Sequence, residues 1–185
     1  MNFLSQLNEK IEAINKYCFE HKNFINKLIN KLLLTLGVFM LFYMGIYFLA
    51  KFYGIGVIRT QSIDKEIMIY ERNIKESIGN DSLIYFSLPV QTAYFNKGEK
   101  FAKFVRCKEG DVLTTKNLEY FCNDKFLGIA KTSDKNGKKV KPFVFNGIIA
   151  KDKFFVMGTH ERSFDSRYWG FVDIKDIKGV SLWAM

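Results

Sequence analysis

The chain has 185 residues, 48% of them hydrophobic, and a formal net charge of +9. That length fits one domain with appendages, and a count of only two prolines argues against a Pro-rich linker or a disordered tract. The positive charge comes without a basic helix, ribbon or stacking motif of the kind that reads nucleic acid, so an anionic membrane surface is the more economical partner.

Residues 1–31 carry Leu4, Leu7, Ile11, Ile14 and Cys18 at spacings of three and four, and Ile25, Leu28 and Ile29 continue a similar face. This spacing predicts an amphipathic helix. Two roles fit it: an interfacial helix lying on a leaflet, or a docking helix for a partner membrane protein. Leu32 to Ala50, LLLTLGVFMLFYMGIYFLA, is uncharged and bounded by Lys31 and Lys51. As a helix it spans about 28 Å, close to the roughly 30 Å hydrocarbon core. A transmembrane helix over 32–50 is therefore expected, with a buried globular helix as the alternative. Thr35 can return its hydroxyl to the backbone, and Tyr43, Tyr47 and Tyr53 suit the distal interface. The run is too long, and starts too late, for a cleavable signal peptide. Lys16, Lys22, Lys27 and Lys31 on one side nearly balance Lys51, Arg59 and Lys65 on the other, so charge alone does not fix orientation.

Residues 51–185 change to short alternating runs. Strands are expected over Ser82–Leu88, Lys100–Arg106, Phe143–Phe145, Lys153–Met157 and Gly179–Trp183. Turns are expected at Asn96-Lys-Gly98, Glu109-Gly-Asp111, Asn136-Gly137 and Asn146-Gly147. The fold class is therefore mainly β, and about 135 residues suffice for one such core.

Three polar blocks stand out behind the apolar run. Thr60-Gln-Ser62 comes first. Lys103-Phe-Val-Arg-Cys-Lys-Glu-Gly-Asp111 reads K-x-V-x-x-x-x-G-D. Gly158-Thr-His-Glu-Arg-Ser-Phe-Asp-Ser-Arg-Tyr-Trp-Gly170 carries S-x-D-S-R-Y-x-G. A serine needs a base to become nucleophilic. Of the two histidines, His21 precedes the membrane run and His160 reads as a surface or turn residue, so no Ser-His-Asp triad is legible. A lysine serves instead when burial lowers its pKa. Phe101, Phe104 and Val105 flank Lys103 and would provide an apolar site.

In this order behind one membrane run, the blocks resemble the type I signal peptidase family of Ser/Lys proteases, most closely its conjugative-transfer, TraF-like branch. The resemblance implies the signal-peptidase β-fold, with the N-terminus cytoplasmic and the catalytic domain periplasmic on a bacterial inner membrane. It implies Ser62 as nucleophile and Lys103 as general base. Thr60 and the Ser62 amide would form the oxyanion hole, and Ser163 would orient the lysine. Asp165 and Arg167 would form a supporting ion pair, and Gly110 and Asp111 the turn after the lysine strand. The chain departs from the branch at Asp64, where proline is usual, and at Glu66, where glycine is usual. Both fall where a substrate strand would dock. In an oxidising periplasm Cys107 and Cys122 would be able to pair, with two buried free thiols as the alternative, while Cys18 would stay reduced.

The expected partners are an exported precursor or pilin, the lipid membrane, and secretion or conjugation machinery; no cofactor, metal or nucleic acid is expected. The acyl-enzyme would pass to water, or to an amino terminus to give a circular product. Two rivals remain. Ser62-Ile-Asp-Lys65 also fits S-x-x-K of penicillin-binding proteins, but S-D-N and K-T-G are absent and Lys131-Thr-Ser133 is only a near match. A membrane scaffold with lost activity is the other.

Overall fold

The computed structural model describes residues 3–59, 62–72 and 78–185. It divides into Met1–Leu49 and Ala50–Met185. The first element, α1, is one unbroken helix, Phe3–Phe52. No glycine or proline interrupts residues 3–36, so the backbone has no reason to break at residue 31. The passage from amphipathic to uniformly apolar is chemical, not conformational. Its apolar portion is long enough to cross a membrane, and none of it is buried by protein. Thr35 donates its hydroxyl to the Lys31 carbonyl at 2.8 Å, which keeps that polar group satisfied within the helix.

Among its described residues the second unit is built from eleven strands. In chain order they are β1 (Tyr53–Val57), β2 (Ile67–Glu71), β3 (Leu83–Ser87), β4 (Lys100–Lys108), β5 (Val112–Lys116), β6 (Glu119–Cys122), β7 (Lys125–Ile129), β8 (Gly147–Ile148), β9 (Lys153–Met157), β10 (Val172–Asp173) and β11 (Ile177–Ala184), with a short helix α2 (Ser166–Trp169) after β9. A seven-stranded sheet runs β1-β2-β11-β3-β4-β9-β10, and a four-stranded sheet runs β7-β6-β5-β8. Strand β4 is central and pairs antiparallel with β3 and β9, so a side chain near its middle is covered on both flanks.

The expected strands appear at β3, β4, β9 and β11, each within a few residues. Phe143–Phe145 does not form one. The Phe143 amide donates to the Arg167 carbonyl at 2.8 Å and the Phe145 amide to Thr115 Oγ1 at 3.3 Å. These groups are satisfied outside any ladder, and pairing begins only at Gly147. The small sheet is a run of two-residue hairpins, with Asn117-Leu118 and Asn123-Asp124 all at positive φ. That is the twist a tight hairpin turn requires.

Three buried clusters fill the unit. Ile84, Phe86, Val105 and Val156 belong to one. Leu113, Tyr120 and Phe155 belong to a second, which also contains Cys107 and Cys122. Ile63, Met68, Tyr70 and Leu83 form a third beneath the start of β2. Cys107 on β4 and Cys122 on β6 are joined as a disulfide, so a covalent bond ties the two sheets together.

Candidate functional site

Ser62 is the middle residue of the connection 58–66 between β1 and β2. The neck of that loop is closed by the Ile58 amide donating to the Glu66 carbonyl at 2.7 Å, and by the Glu66 amide donating to the Met185 carbonyl at 2.6 Å. Beside Ser62, Ile63 is buried in the third cluster and acts as an apolar anchor for the turn. The Ser62 carbonyl accepts from the His160 amide at 3.3 Å, which joins this loop to the one after β9. Thr60 lies outside the described residues.

Lys103 sits in the middle of β4, opposite Ile84 of β3. Alternation along the strand sends Ala102 and Phe104 to the third cluster and Val105 to the first, with Lys103 on the Val105 side. The side chain is 1% exposed, and its Nζ lies 5.9 Å from the centre of the Phe101 ring. Burial pushes the amine down to about 8 from the ordinary 10.5; Asp165 opposes the shift and Arg167 adds to it. The ammonium is not left without a partner: Nζ donates to Ser163 Oγ at 3.0 Å.

Ser163 is held by the loop 158–165 that follows β9. Gly158 makes the approach possible. A Cβ at Gly158 would overlap both the Ser62 carbonyl and the Ser163 hydroxyl, so the Ser62 loop, the glycine and the partner of Lys103 close on one point. The Gly158 amide donates to Asp165 Oδ2 at 3.0 Å. Arg167 meets both oxygens of Asp165, from Nε and Nη2, at 2.8 Å each. Its remaining donors go to the carbonyls of Ile129 at 2.8 Å, and of Glu161 and Ser163 at 3.3 Å each. The pair is fully buried and its hydrogen bonds are met, the condition under which a buried ion pair is tolerated. Burial works against the guanidinium charge, but the Asp165 carboxylate outweighs it and holds the Arg167 pKa above its usual value. One arginine thus fastens β7, the 158–163 loop and the start of α2 around Ser163.

Ser62, Lys103 and Ser163 line one cleft of about 560 Å³, together with Phe95, Phe101 and Phe164. A smaller recess of about 300 Å³ also reaches Ser62, and Val57, Ile58, Met68, Tyr85 and Ala102 line it. Asp64 and Glu66 line neither; with Arg59 and Lys65 they face a separate open recess. Gly110 and Asp111 do not line the cleft. Gly110, at φ +81, turns the chain after β4, and Asp111 accepts from the Lys108 amide at 3.0 Å and from Asn123 Nδ2 at 2.8 Å. Burial would raise the Asp111 carboxyl, but those donors with Asn80 and Lys108 leave it below its ordinary value. Among the described residues, Cys107, Asp111 and Cys122 are the group of metal-ligating types that lie close together, and their two sulfurs are bonded to each other. His160 is exposed in a turn, its Nδ1 accepting from the Arg162 amide at 3.1 Å.

Two positioning contacts go beyond the roles assigned from the motifs. The Tyr168 hydroxyl accepts from the Lys131 amide at 3.0 Å and pins the next loop; its place in S-x-D-S-R-Y-x-G was the available signal. The Tyr94 hydroxyl donates to Asp134 Oδ2 at 2.9 Å, and nothing local in the sequence announces that contact.

A family model described as signal peptidase, peptidase S26, matches residues 27–185. No curated protein matches the chain. Among solved structures, a signal peptidase I from Enterococcus faecalis V583 is 23% identical; the alignment covers 58% of this chain and 98% of that one, with a TM-score of 0.40.

Proposed function

The chain belongs to the signal peptidase family, peptidase S26, whose members are serine endopeptidases acting on precursor proteins, and on that premise we propose that Ser62 is its nucleophile and Lys103 its general base. The observation that carries the assignment is the buried Lys103 amine, held on Ser163 Oγ at 3.0 Å, in the same cleft as Ser62. An amine lowered to about 8 is a usable base near neutral pH.

In this mechanism Ser62 Oγ attacks the scissile carbonyl carbon while Lys103 takes its proton. The oxyanion is held by the Ser62 amide and, by its place in the motif, by the Thr60 hydroxyl. Such donors are worth on the order of 3 kcal/mol each in hydrolases. Collapse of the intermediate breaks the C–N bond. The leaving amine takes the proton from Lys103, and the acyl group stays on Ser62 until water or an amino terminus releases it. Ser163 fixes the rotamer of Lys103, and Asp165 with Arg167 fixes Ser163.

The finer assignments follow the motifs. A dedicated, TraF-like role in pilin maturation is supported by the cysteine pair and the single N-terminal apolar helix. An inner-membrane location with the unit Ala50–Met185 in the periplasm suits both the charge-free run 32–50 of α1 and the disulfide. The test is intact-mass spectrometry of a pilin precursor co-expressed with wild type or with Ser62→Ala. Loss of a terminal peptide only in the wild type supports the peptidase, and a product lighter by a further water supports cyclisation. Equal masses in both strains count against the assignment.

A further inference from the structure

The segment 131–141, KTSDKNGKKVK, holds five lysines and one aspartate, and forms one wall of the cleft. It is a built structure. Ser133 bridges Lys139, the Asp134 amide donates to the Lys138 carbonyl at 2.9 Å, and Gly137 turns the tip, its amide donating to the Asp134 carbonyl at 3.1 Å. The single carboxylate is used up internally. Asp134 Oδ1 accepts from the Asn136 and Lys138 amides at 2.8 and 2.9 Å, and Oδ2 accepts from the Tyr94 hydroxyl at 2.9 Å. The Lys131 ammonium is also used, against Glu161 at 3.3 Å.

Apart from Lys103 itself, that leaves two cations on the cleft wall among the described residues, Lys135 from this loop and Arg162 from the loop that carries Ser163. Both are exposed, and neither has a carboxylate partner among the described residues. Two chain segments, far apart in sequence, thus point unneutralised charge into the groove that holds Ser62 and Lys103. A groove with apolar walls concentrates such a field. Lys139 and Lys141 do not line this cleft; with Lys138 they border a separate recess, so Lys135 is set apart from the rest of the loop's positive charge.

We propose that Lys135 and Arg162 recognise an acidic side chain of the precursor, within a few residues of the bond that Ser62 attacks. The proposal rests on the endopeptidase reading and adds a substrate class to it. It makes one carboxylate of the precursor a selection signal, with charge complementarity setting specificity.

The test uses the full chain in nanodiscs of neutral lipid and a peptide library randomised on both sides of a small-residue cleavage site. Products that depend on Ser62 are sequenced by mass spectrometry. The expected result is Asp or Glu enriched at one position by about two- to fivefold, shrinking as salt rises from about 0.05 to about 0.5 M. K135E/R162E moves the enrichment to Lys and Arg, whereas K139E/K141E, with the same change in charge, leaves it in place. Ser62-dependent cleavage without an acidic preference, or a preference indifferent to K135E/R162E and to salt, overturns the proposal and leaves the peptidase standing. An effect of K135E/R162E seen only in anionic nanodiscs, with no residue preference, assigns the loop to the membrane and also overturns it. No Ser62-dependent cleavage of any peptide removes the endopeptidase reading, and the proposal with it.

Discussion

The amine of Lys103 and the hydroxyl of Ser163 meet at 3.0 Å across 60 residues of sequence, with both side chains buried. Because burial lowers the Lys103 pKa to about 8, kcat/KM is expected to rise with pH and level off above about 8. The sign for stability is the same. A lysine lowered in the folded state binds fewer protons there than in the unfolded chain, so its penalty is full below about pH 8 and is relieved between about 8 and 10.5. The difference corresponds to about 3 kcal/mol. Lys103→Met, which keeps the stem and removes the charge, is expected to abolish cleavage and to raise resistance to denaturant at pH 7 by about 1–3 kcal/mol. Tryptophan-monitored urea unfolding checks the second part. A variant that is both inactive and less stable would contradict the assignment of Lys103 as a buried base.

Gly158 is expected to tolerate no side chain. In Gly158→Ala the new methyl overlaps the Ser62 carbonyl and the Ser163 hydroxyl, so one of the two must move. Displacement of a reacting group by about 1 Å costs on the order of a hundredfold in rate. The expected phenotype is a loss of kcat of about that size with KM little changed. Ser163→Ala should reduce kcat similarly and also displace the pH profile, because the amine loses its partner. Single-turnover kinetics across pH distinguishes this from plain misfolding, which lowers the amount of active enzyme without moving the profile.

Much of this arrangement was legible in the sequence, for reasons tied to particular residues. The strand carrying Lys103 is rich in apolar residues and ends at the turn signal Glu109-Gly-Asp111, and the block around Ser163 is too polar to be a packing pattern. The strands on either side of Ser62 were not legible. In β1, Gly54 takes the place where a side chain would collide with the Tyr70 ring, so a residue that argues against a strand is required by packing from β2. The small sheet was hidden in the same way, because Leu118 at φ +72 is a turn residue no propensity would select. Phe143–Phe145 looked like a strand by composition and is instead held by Arg167 and Thr115. The contacts of Arg167 with Ile129 and Glu161 are non-local; a motif names the arginine but cannot say which carbonyls it fastens.

Arg167 is expected to be more sensitive than its distance from the chemistry suggests. Lysine at this position cannot reproduce the two-pronged contact with Asp165 or reach the carbonyls of Ile129, Glu161 and Ser163 together. Removing one partner of a buried pair typically costs about 3–5 kcal/mol. Asp165→Ala is therefore expected to lose most of the folded population at 37 °C, and Arg167→Lys to fold with a lowered melting temperature and reduced kcat. Thermal unfolding by circular dichroism, read beside the cleavage rate, checks both. A wild-type melting temperature in Asp165→Ala would show that the pair is not structural.

The disulfide should matter to the stability of the unit that holds β4 and not to the chemistry itself. Cys107 lies on the same strand as Lys103, and its bond to Cys122 spans a sequence separation of 15. A loop of that length corresponds to about 3 kcal/mol in the chain-entropy account. Reduction, or a Cys107→Ser/Cys122→Ser double change, is expected to lower stability by about 2–4 kcal/mol while leaving kcat nearly intact at low temperature, since neither sulfur lines the cleft. Unchanged unfolding with and without reductant would mean that the bridge adds nothing to the fold.

Cys18 offers a direct test of orientation. It is exposed on α1, and the other two cysteines are bonded to each other, so a maleimide has one site on the native chain. If the N-terminal segment faces the cytoplasm, a membrane-impermeant maleimide leaves the protein unlabelled in intact spheroplasts and labels it after lysis. A cysteine introduced at exposed Lys139 should behave in the opposite way and react from outside. Labelling of Cys18 in intact spheroplasts would reverse the topology. It would also put Ser62 and Lys103 in the reducing compartment, where a Cys107–Cys122 bond does not persist, so the orientation and the disulfide stand or fall together.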